Sequence, residues 1–129
     1  MNDETEGRSL RRPTEAPKLY AQDGKGLGAE VFAHYFLGQS DWLITEYDPE
    51  EDVAFGWACL NGDRQNAELG YVSMAELESV RSTVRLRDLK TGKLLESREG
   101  PGVELETDWP PRGTTLEQAI SELDKRHGA

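Results

Sequence analysis

Residues 31–60 read VFAHYFLGQSDWLITEYDPEEDVAFGWACL, three apolar stretches separated by two short polar turns. The first stretch, 31–37, is apolar on both phases of a strand, which predicts a strand covered on both faces. The second, 42–47, is aromatic and β-branched, and the proline after it ends the strand because proline cannot donate to a ladder. The third, 53–60, alternates large and small residues. Connections this short favour an antiparallel meander.

The chain after this run carries more strand patterns and two helical ones. Ser73 and Glu76 have the spacing of a capping box, in which the serine accepts the backbone N–H three residues on. The predicted elements are a strand at 67–72, a helix from about 74 to 81, hairpin strands at 83–89 and 93–97, a strand at 103–109 and a helix from 115 to about 125. The fold class is therefore α+β, with an antiparallel sheet of about six strands and two short helices.

The two ends of the chain differ in apolar content. Residues 1–18 contain one leucine, two prolines and no aromatic residue, too little apolar surface to offset the entropy of ordering. We expect a disordered tail at 1–18 and a single domain at 19–126, with an inserted basic hairpin at 82–100. Residues 23–28 read DGKGLG and predict a flexible surface loop, because the glycine spacing matches neither a phosphate-binding loop nor a dinucleotide fingerprint.

The negative charge is confined to one part of the sequence. The 129 residues include 25 Asp and Glu against 15 Lys and Arg, a net charge of −10. Residues 19–80 carry twelve acids and two bases, whereas residues 81–100 carry six bases and three acids. Such a chain repels anionic membranes and nucleic acid, so we expect neither as a partner. Contact of the basic hairpin with nucleic acid is a weaker alternative.

Several classes of protein are excluded by counting residues. The single cysteine, Cys59, rules out an internal disulfide and a multi-cysteine metal site. No apolar run approaches the length of a membrane span, and the first residues lack the features of a signal peptide, so we expect a cytoplasmic protein. We expect no cofactor and no metal, since a site using both histidines, His34 and His127, requires the two ends of the chain to meet.

Three sequence patterns resemble a known family. They are W-x-x-T-E-x-D at 42–48, F-G at 55–56 and E-L-G-Y-x-S-x-x-E-L-E-S-V at 68–80. Together they resemble a bacterial family known only as a domain of unknown function, number twenty-nine fifty-eight, over about residues 19–124. Residues 82–100 look like an insertion relative to shorter members. The resemblance implies a small accessory protein of a plasmid, integrative element or phage, and it brings no catalytic residue with it.

Two classes of function remain open. The first is a non-enzymatic interaction protein whose acidic surface binds a basic protein of the host or the element. In its sharper form the surface mimics the phosphates of nucleic acid and inhibits a host defence protein, in the manner of anti-restriction or anti-CRISPR proteins. The predicted contact residues are Asp41, Trp42, Glu46, Asp48, Glu50, Glu51, Asp52, Glu68, Tyr71, Glu76 and Glu78.

The second class is a small hydrolase or nucleotide-modifying enzyme that uses Glu46, Glu68 and His34. The more ordinary interpretation of His34 is a packed histidine with a hydrogen-bond partner, and that of Cys59 is a core residue. The acids of residues 48–52 are able to bind a hard cation, although a solvated turn is favoured. The aromatic residues fit either interface anchors or core, and we favour the non-enzymatic class.

Overall fold

The structure is a computed structural model that describes residues 9–128, and its centre is an antiparallel sheet. The strands are β1 (Ala33–Leu37), β2 (Ser40–Asp48), β3 (Val53–Cys59), β4 (Glu68–Ser73), β5 (Arg81–Arg87), β6 (Leu94–Gly102) and β7 (Glu104–Glu106). The helices are α1 (Met74–Ser79) and α2 (Leu116–Arg126). Five strands form the main sheet in the order β4-β3-β2-β1-β7, and β5 and β6 form a separate pair. The predicted α+β class, antiparallel sheet and two short helices are confirmed.

Both faces of the main sheet are covered. Helix α2 covers one of them, the α2 face, whose buried residues include Val31, Leu43, Trp57, Cys59, Leu116 and Leu123. Helix α1 and the N-terminal segment cover the other, the α1 face, whose buried residues include Leu10, Tyr35, Trp42, Ile44, Tyr47, Met74 and Leu77. Strand β2 lies in the middle of the sheet and is buried from Ser40 to Tyr47. Its polar residues Asp41, Thr45 and Glu46 are therefore buried together with its apolar ones.

A β-bulge in β2 decides which residues point to which face. The register shifts between Ile44 and Glu46, so Ile44 pairs with Gly56 and Glu46 pairs with Phe55. Glu46 therefore lies on the α2 face, beside Phe55. A Cβ atom on Gly56 would collide with the carbonyl oxygen of Leu43. The close approach of β2 and β3 at the bulge thus requires glycine at this position.

Both helices begin at a side-chain cap, and the sequence predicts the one at Ser73. The Ser73 hydroxyl accepts the Glu76 backbone N–H, and α1 ends at Ser79, two residues before the predicted end. Helix α2 has a complete capping box between Thr115 and Gln118. In the part of the chain that the structure describes, no helix is long and apolar enough to cross a membrane.

The hairpin stands apart from the main sheet. Strands β5 and β6 pair with each other and share no ladder with the other five strands. Strand β5 lies two residues before its predicted range, and β6 continues to Gly102, five residues beyond its predicted end. The Asp88 carboxylate accepts the backbone N–H groups of Lys90 and Thr91, which builds the turn. Leu86 and Leu95 are exposed.

The N-terminal segment corrects the predicted tail. Residues 1–8 lie outside the described residues, but residues 9–18 pack against the domain. Leu10 is buried in the α1 face, and the backbone N–H of Tyr47 donates to the carbonyl of Pro17 at 2.8 Å. The Tyr35 hydroxyl donates to the carbonyl of Arg11. The expected disorder was wrong for this part, because contacts with distant residues order a segment that has little apolar surface of its own.

Candidate functional site

Three of the predicted contact residues are internal. Asp41 is 2% exposed, Glu46 5% and Trp42 8%. All three lie on β2, and Trp42 belongs to the core of the α1 face. As placed here, they are too buried to form part of an exposed contact surface, because the middle strand is covered on both sides.

Two further acids, Asp52 and Glu78, are held by Arg12. The Arg12 guanidinium donates to both oxygens of Asp52 at 2.9 Å and to Glu78 at 3.4 Å. The hydrogen bond from Arg12 lowers the pKa of Asp52, burial opposes it, and the Tyr47 hydroxyl lowers it further. The backbone N–H of Leu10 lowers the pKa of Glu78, against burial and with help from Arg12. These charges fix the N-terminal segment to the β2–β3 turn and to α1.

The pKa of Tyr47, whose hydroxyl is bonded to Asp52, shifts upward, opposite to the pKa of that carboxylate. Burial, with the hydrogen bond to Asp52 and its negative charge, raises the pKa of Tyr47 to about 12. The hydroxyl therefore stays protonated and donates to Asp52 at 2.6 Å. The cluster has satisfied donors and acceptors and acts as a structural anchor.

The remaining acids form a smaller exposed group. Glu50 and Glu51 are exposed in the β2–β3 turn, and Asp48 is half-buried where the turn begins. Glu76 is exposed in the first turn of α1, which is joined to the β2–β3 turn by the hydrogen bond from the Met74 N–H to the Asp52 carbonyl. We call Asp48, Glu50, Glu51 and Glu76 the acidic rim. Within residues 9–128, none of the four forms an ion pair with Lys or Arg.

The last two predicted contact residues, Glu68 and Tyr71, are exposed on the edge strand β4. Glu68 pairs with Ala58, which packs against the core of the α1 face, whereas Tyr71 pairs with Phe55 on the other face. Directly paired residues point to the same side of a sheet. Glu68 and Tyr71 therefore face opposite sides.

The residues of the alternative enzyme are not brought together. The Glu46 carboxylate lies on the α2 face and accepts the backbone N–H groups of Tyr20 at 2.8 Å and Gln22 at 2.7 Å. Glu68 lies on the α1 face, and His34 has other carboxylate partners. The two carboxylates of a hydrolytic site flank one scissile bond, so both must reach the same cleft. Glu46 and Glu68 do not meet that requirement.

His34 belongs to a charge cluster that sequence reasoning missed. Its Nε2 lies 2.7 Å from Asp41, and its Nδ1 lies 2.8 Å from Glu106. The other Asp41 oxygen lies 3.1 Å from His127 Nε2, and Arg126 donates to Glu106 at 3.0 Å. His34 and His127, which are far apart in the sequence, therefore do come together through Asp41. The sequence interpretation assigned Asp41 to a turn, and no local signal points to Glu106 or His127.

The cluster leaves His34 without a free ring nitrogen. Each of its two nitrogens lies within hydrogen-bond distance of a carboxylate oxygen, one of Asp41 and one of Glu106. Burial disfavours the charge of Glu106, but hydrogen bonds from Arg126 and His34 outweigh it and lower its pKa. A ring whose two nitrogens both have carboxylate partners has no nitrogen free to ligate a metal. Among the described residues, no group of three or more His, Cys, Asp or Glu side chains has the arrangement of a metal site.

The aromatic residues and the cysteine divide mostly in favour of the core. Trp42, Tyr47 and Trp57 are buried, as is Cys59, whose sulfur lies 2.9 Å from an Arg64 nitrogen. Tyr71, by contrast, has 58% of its surface exposed. The ordinary interpretations of His34 and Cys59 as packed residues are confirmed.

The fold and these contacts define a small α+β protein in which the three residues of the enzyme alternative are separated and, within residues 9–128, the acids of the rim have no Lys or Arg partner. A family model described as "Protein of unknown function (DUF2958)" matches residues 29–98, more than half of the 129 residues. The chain therefore belongs to this family. The match is shorter at both ends than the expected 19–124, and it contains most of the hairpin. No curated protein and no solved structure matches the chain.

Proposed function

We propose that this chain is a non-enzymatic, cytoplasmic interaction protein of a plasmid, integrative element or phage, and that its acidic rim binds a basic partner protein. The observation that carries the proposal is that, among residues 9–128, no rim acid has a Lys or Arg partner, whereas the neighbouring acids are paired internally. Asp52 and Glu78 already share the single positive charge of Arg12, so the proposed contact is smaller than the acidic surface expected from sequence.

Unpaired carboxylates on one edge favour a cationic partner for two physical reasons. They repel one another, and lysine or arginine from a partner removes that repulsion. Their combined field also attracts a basic surface before contact, which raises the association rate. Such binding weakens with salt, because exposed charges are screened beyond about 10 Å at moderate ionic strength.

The finer form of the proposal concerns the partner's identity. We propose a nucleic-acid-binding protein of host defence, whose channel the rim occupies in place of phosphates, as in anti-restriction or anti-CRISPR inhibition. The net charge of −10 over residues 19–80 supports this form, as does the resemblance to proteins of mobile elements. The enzyme alternative is not taken further, because its carboxylates face opposite sides of the sheet and His34 is fully bonded.

A pair of charge-matched triple variants tests the rim. The first carries Asp48→Asn, Glu50→Gln and Glu51→Gln, and leaves Glu76 in the first turn of α1. The control carries Glu104→Gln, Glu117→Gln and Glu122→Gln, three exposed acids on β7 and α2. Both variants lose three negative charges, so any difference between them reports position and not net charge.

The measurement is capture from a host lysate at low salt, followed by affinity measurement with the purified partner. An exposed ion pair contributes about 0.2–1 kcal/mol, and the rim variant loses three acids that can form such pairs. It is therefore expected to bind about 3- to 150-fold more weakly. The control is expected to bind like the wild type. Equal binding by both variants contradicts the role of the rim, and a partner that binds no nucleic acid contradicts the finer form.

A further inference from the structure

A cleft lies on the α2 face, between the edge strand β4 and the loop of residues 20–26. Its volume is about 330 Å³. The rings of Phe55 and Tyr71 meet edge to face, with centroids 5.1 Å apart, and the Tyr71 hydroxyl donates to the Tyr20 hydroxyl at 3.2 Å. Tyr20 is 67% exposed and Tyr71 58%. Neither tyrosine is needed to fill the core, yet the two are held against each other at the mouth of the cleft.

The loop is held in place by Glu46. Tyr20 has a φ of 73°, in the left-handed region that side chains other than glycine seldom adopt. The two hydrogen bonds from Tyr20 and Gln22 to the Glu46 carboxylate secure this conformation. The loop of residues 23–28, which the sequence predicts to be flexible, is therefore anchored just before it begins. Glu46 also positions the Tyr20 ring over the cleft.

The charges that line the cleft are negative. Asp23 and Glu46 are its ionised residues, and no Lys or Arg side chain lines it. Glu46 is nearly buried and, among the described residues, has no ion pair with a base. The hydrogen bond to Tyr20 raises the pKa of Tyr71, with smaller effects of burial and of the charges on Glu46 and Asp23. The negative potential thus reaches the aromatic rings.

This combination suits a cation carried on an apolar stem. The face of an aromatic ring attracts ammonium and guanidinium groups, and nearby carboxylates add to the attraction. The methylene groups of lysine or arginine pack on apolar surface while the head remains polar. A cleft of about 330 Å³ is at the small end of ligand sites, which suits one long side chain.

Strand β4 offers a way to deliver such a side chain. It pairs with β3 on one side, and among the described residues no other strand pairs with its second edge. Its sequence, ELGYVS, has neither the lysine nor the proline that commonly protects an edge strand. Leu69 and Tyr71 pair with Trp57 and Phe55, so they point to the α2 face. A strand added beside them would place every second side chain over the cleft.

We propose that an extended basic segment of the partner pairs with the open edge of β4 and inserts a lysine or arginine side chain between Tyr20, Phe55 and Tyr71. This inference rests on the proposed function, because it gives the chemistry of the partner that the acidic rim attracts. Ser73 ends β4 and pairs with Val53, which directly follows the β2–β3 turn. A segment that continues along β4 beyond Tyr71 therefore runs toward the acidic rim.

The probe is a synthetic peptide, acetyl-Thr-Val-Thr-Arg-Thr-Val-Thr-amide, with lysine and glutamine forms in place of arginine. Binding is measured by calorimetry and by chemical shifts of the tyrosine rings. The arginine or lysine peptide is expected to bind at least tenfold more tightly than the glutamine peptide. Methylation of the backbone amides along one edge of the peptide is expected to abolish binding, because those amides make the ladder.

Single variants locate the binding in the cleft. Tyr71→Leu keeps apolar area but removes the ring, and is expected to weaken arginine-peptide binding about two- to fivefold. Asp23→Asn is expected to weaken it by a similar factor. Leu95→Ala, an exposed apolar change on the hairpin, is the matched control and is expected to have no effect. Tyr71, Asp23 and Leu95 are all exposed, so each variant is expected to fold.

The outcomes separate this inference from the proposed function. Equal affinity for the arginine, lysine and glutamine peptides, or no effect of both cleft variants, overturns the cleft. If the rim triple variant still loses the partner in that case, the acidic-rim proposal stands without it. If instead the cleft variants lose the peptide and the rim variant keeps the partner, the rim is wrong and the cleft stands.

Discussion

Replacing Arg12 with leucine is expected to detach the N-terminal segment and destabilise the whole protein. Arg12 has a side chain that is 24% exposed, and its partners Asp52 and Glu78 are 31% and 28% exposed. Loss of one partner of a buried pair costs about 3–5 kcal/mol, and an exposed pair contributes about 1 kcal/mol or less. Partial exposure places Arg12→Leu between these limits, so we expect a loss of about 2 kcal/mol at neutral pH.

The pH dependence of this loss follows from the two carboxylates. Asp52 and Glu78 have lowered pKa values in the folded protein, so the unfolded chain binds more protons in the acidic range. Their contribution to stability is present above the ordinary carboxylate pKa of about 4 and is lost as the pH falls through the lowered values. The difference between wild type and Arg12→Leu is therefore expected to shrink below about pH 4.

The assay is urea unfolding and thermal melting at neutral and acidic pH, with Arg98→Leu as the control. Arg98 forms an exposed pair with Glu96 in the hairpin and is expected to contribute little. For a domain of this size, about 2 kcal/mol corresponds to a decrease of about 8 °C in Tm. A decrease equal to that of the control, or one that does not change with pH, would refute the reasoning.

Three further predictions concern the interior of the sheet. Gly56→Ala is expected to destabilise the protein by at least about 2 kcal/mol in urea unfolding, because the added Cβ collides with the Leu43 carbonyl, whereas Gly70→Ala, with open space around it, is expected to change little. His34→Leu is expected to cost about 3–5 kcal/mol in the same assay, because it leaves the buried Asp41 carboxylate without its closest partner; a loss below about 1 kcal/mol would contradict the importance of the His34–Asp41 contact. Cys59 is expected to react with a thiol reagent only after unfolding, and rapid reaction of the native protein would show that the α2 face opens.

Features that depend on nearby residues were predictable from the sequence. The Ser73 cap and the alternation of β3 are local patterns, and each is present in the structure. The predicted disorder was wrong for residues 9–18, because Arg12 acts through Asp52 and Glu78, which lie 40 and 66 residues away. Composition within a short window does not contain such partners.

For the candidate site, too, local features were predictable from the sequence and long-range contacts were not. The position of the acidic stretch was evident from counting charges, but not which acids face solvent. Asp41 was assigned to a polar turn, whereas the turn ends at Gln39 and Asp41 enters the buried strand β2. The bulge between Ile44 and Glu46 then sets Glu46 on the face opposite Glu68. No pattern of alternation predicts where a bulge falls.

The sequence by itself determined the α+β class, the antiparallel meander of residues 31–60, the Ser73 cap and the segment that holds the negative charge, because these follow from periodicity and from residues a few positions apart. Only the tertiary structure decided that Arg12 pairs with two of the acids, that His34 and His127 share Asp41, and that Tyr20 and Tyr71 flank a negative cleft. Each of these depends on residues far apart in the chain. Burial and pairing are properties of the packed surfaces, and packing is established only when the whole sheet has formed.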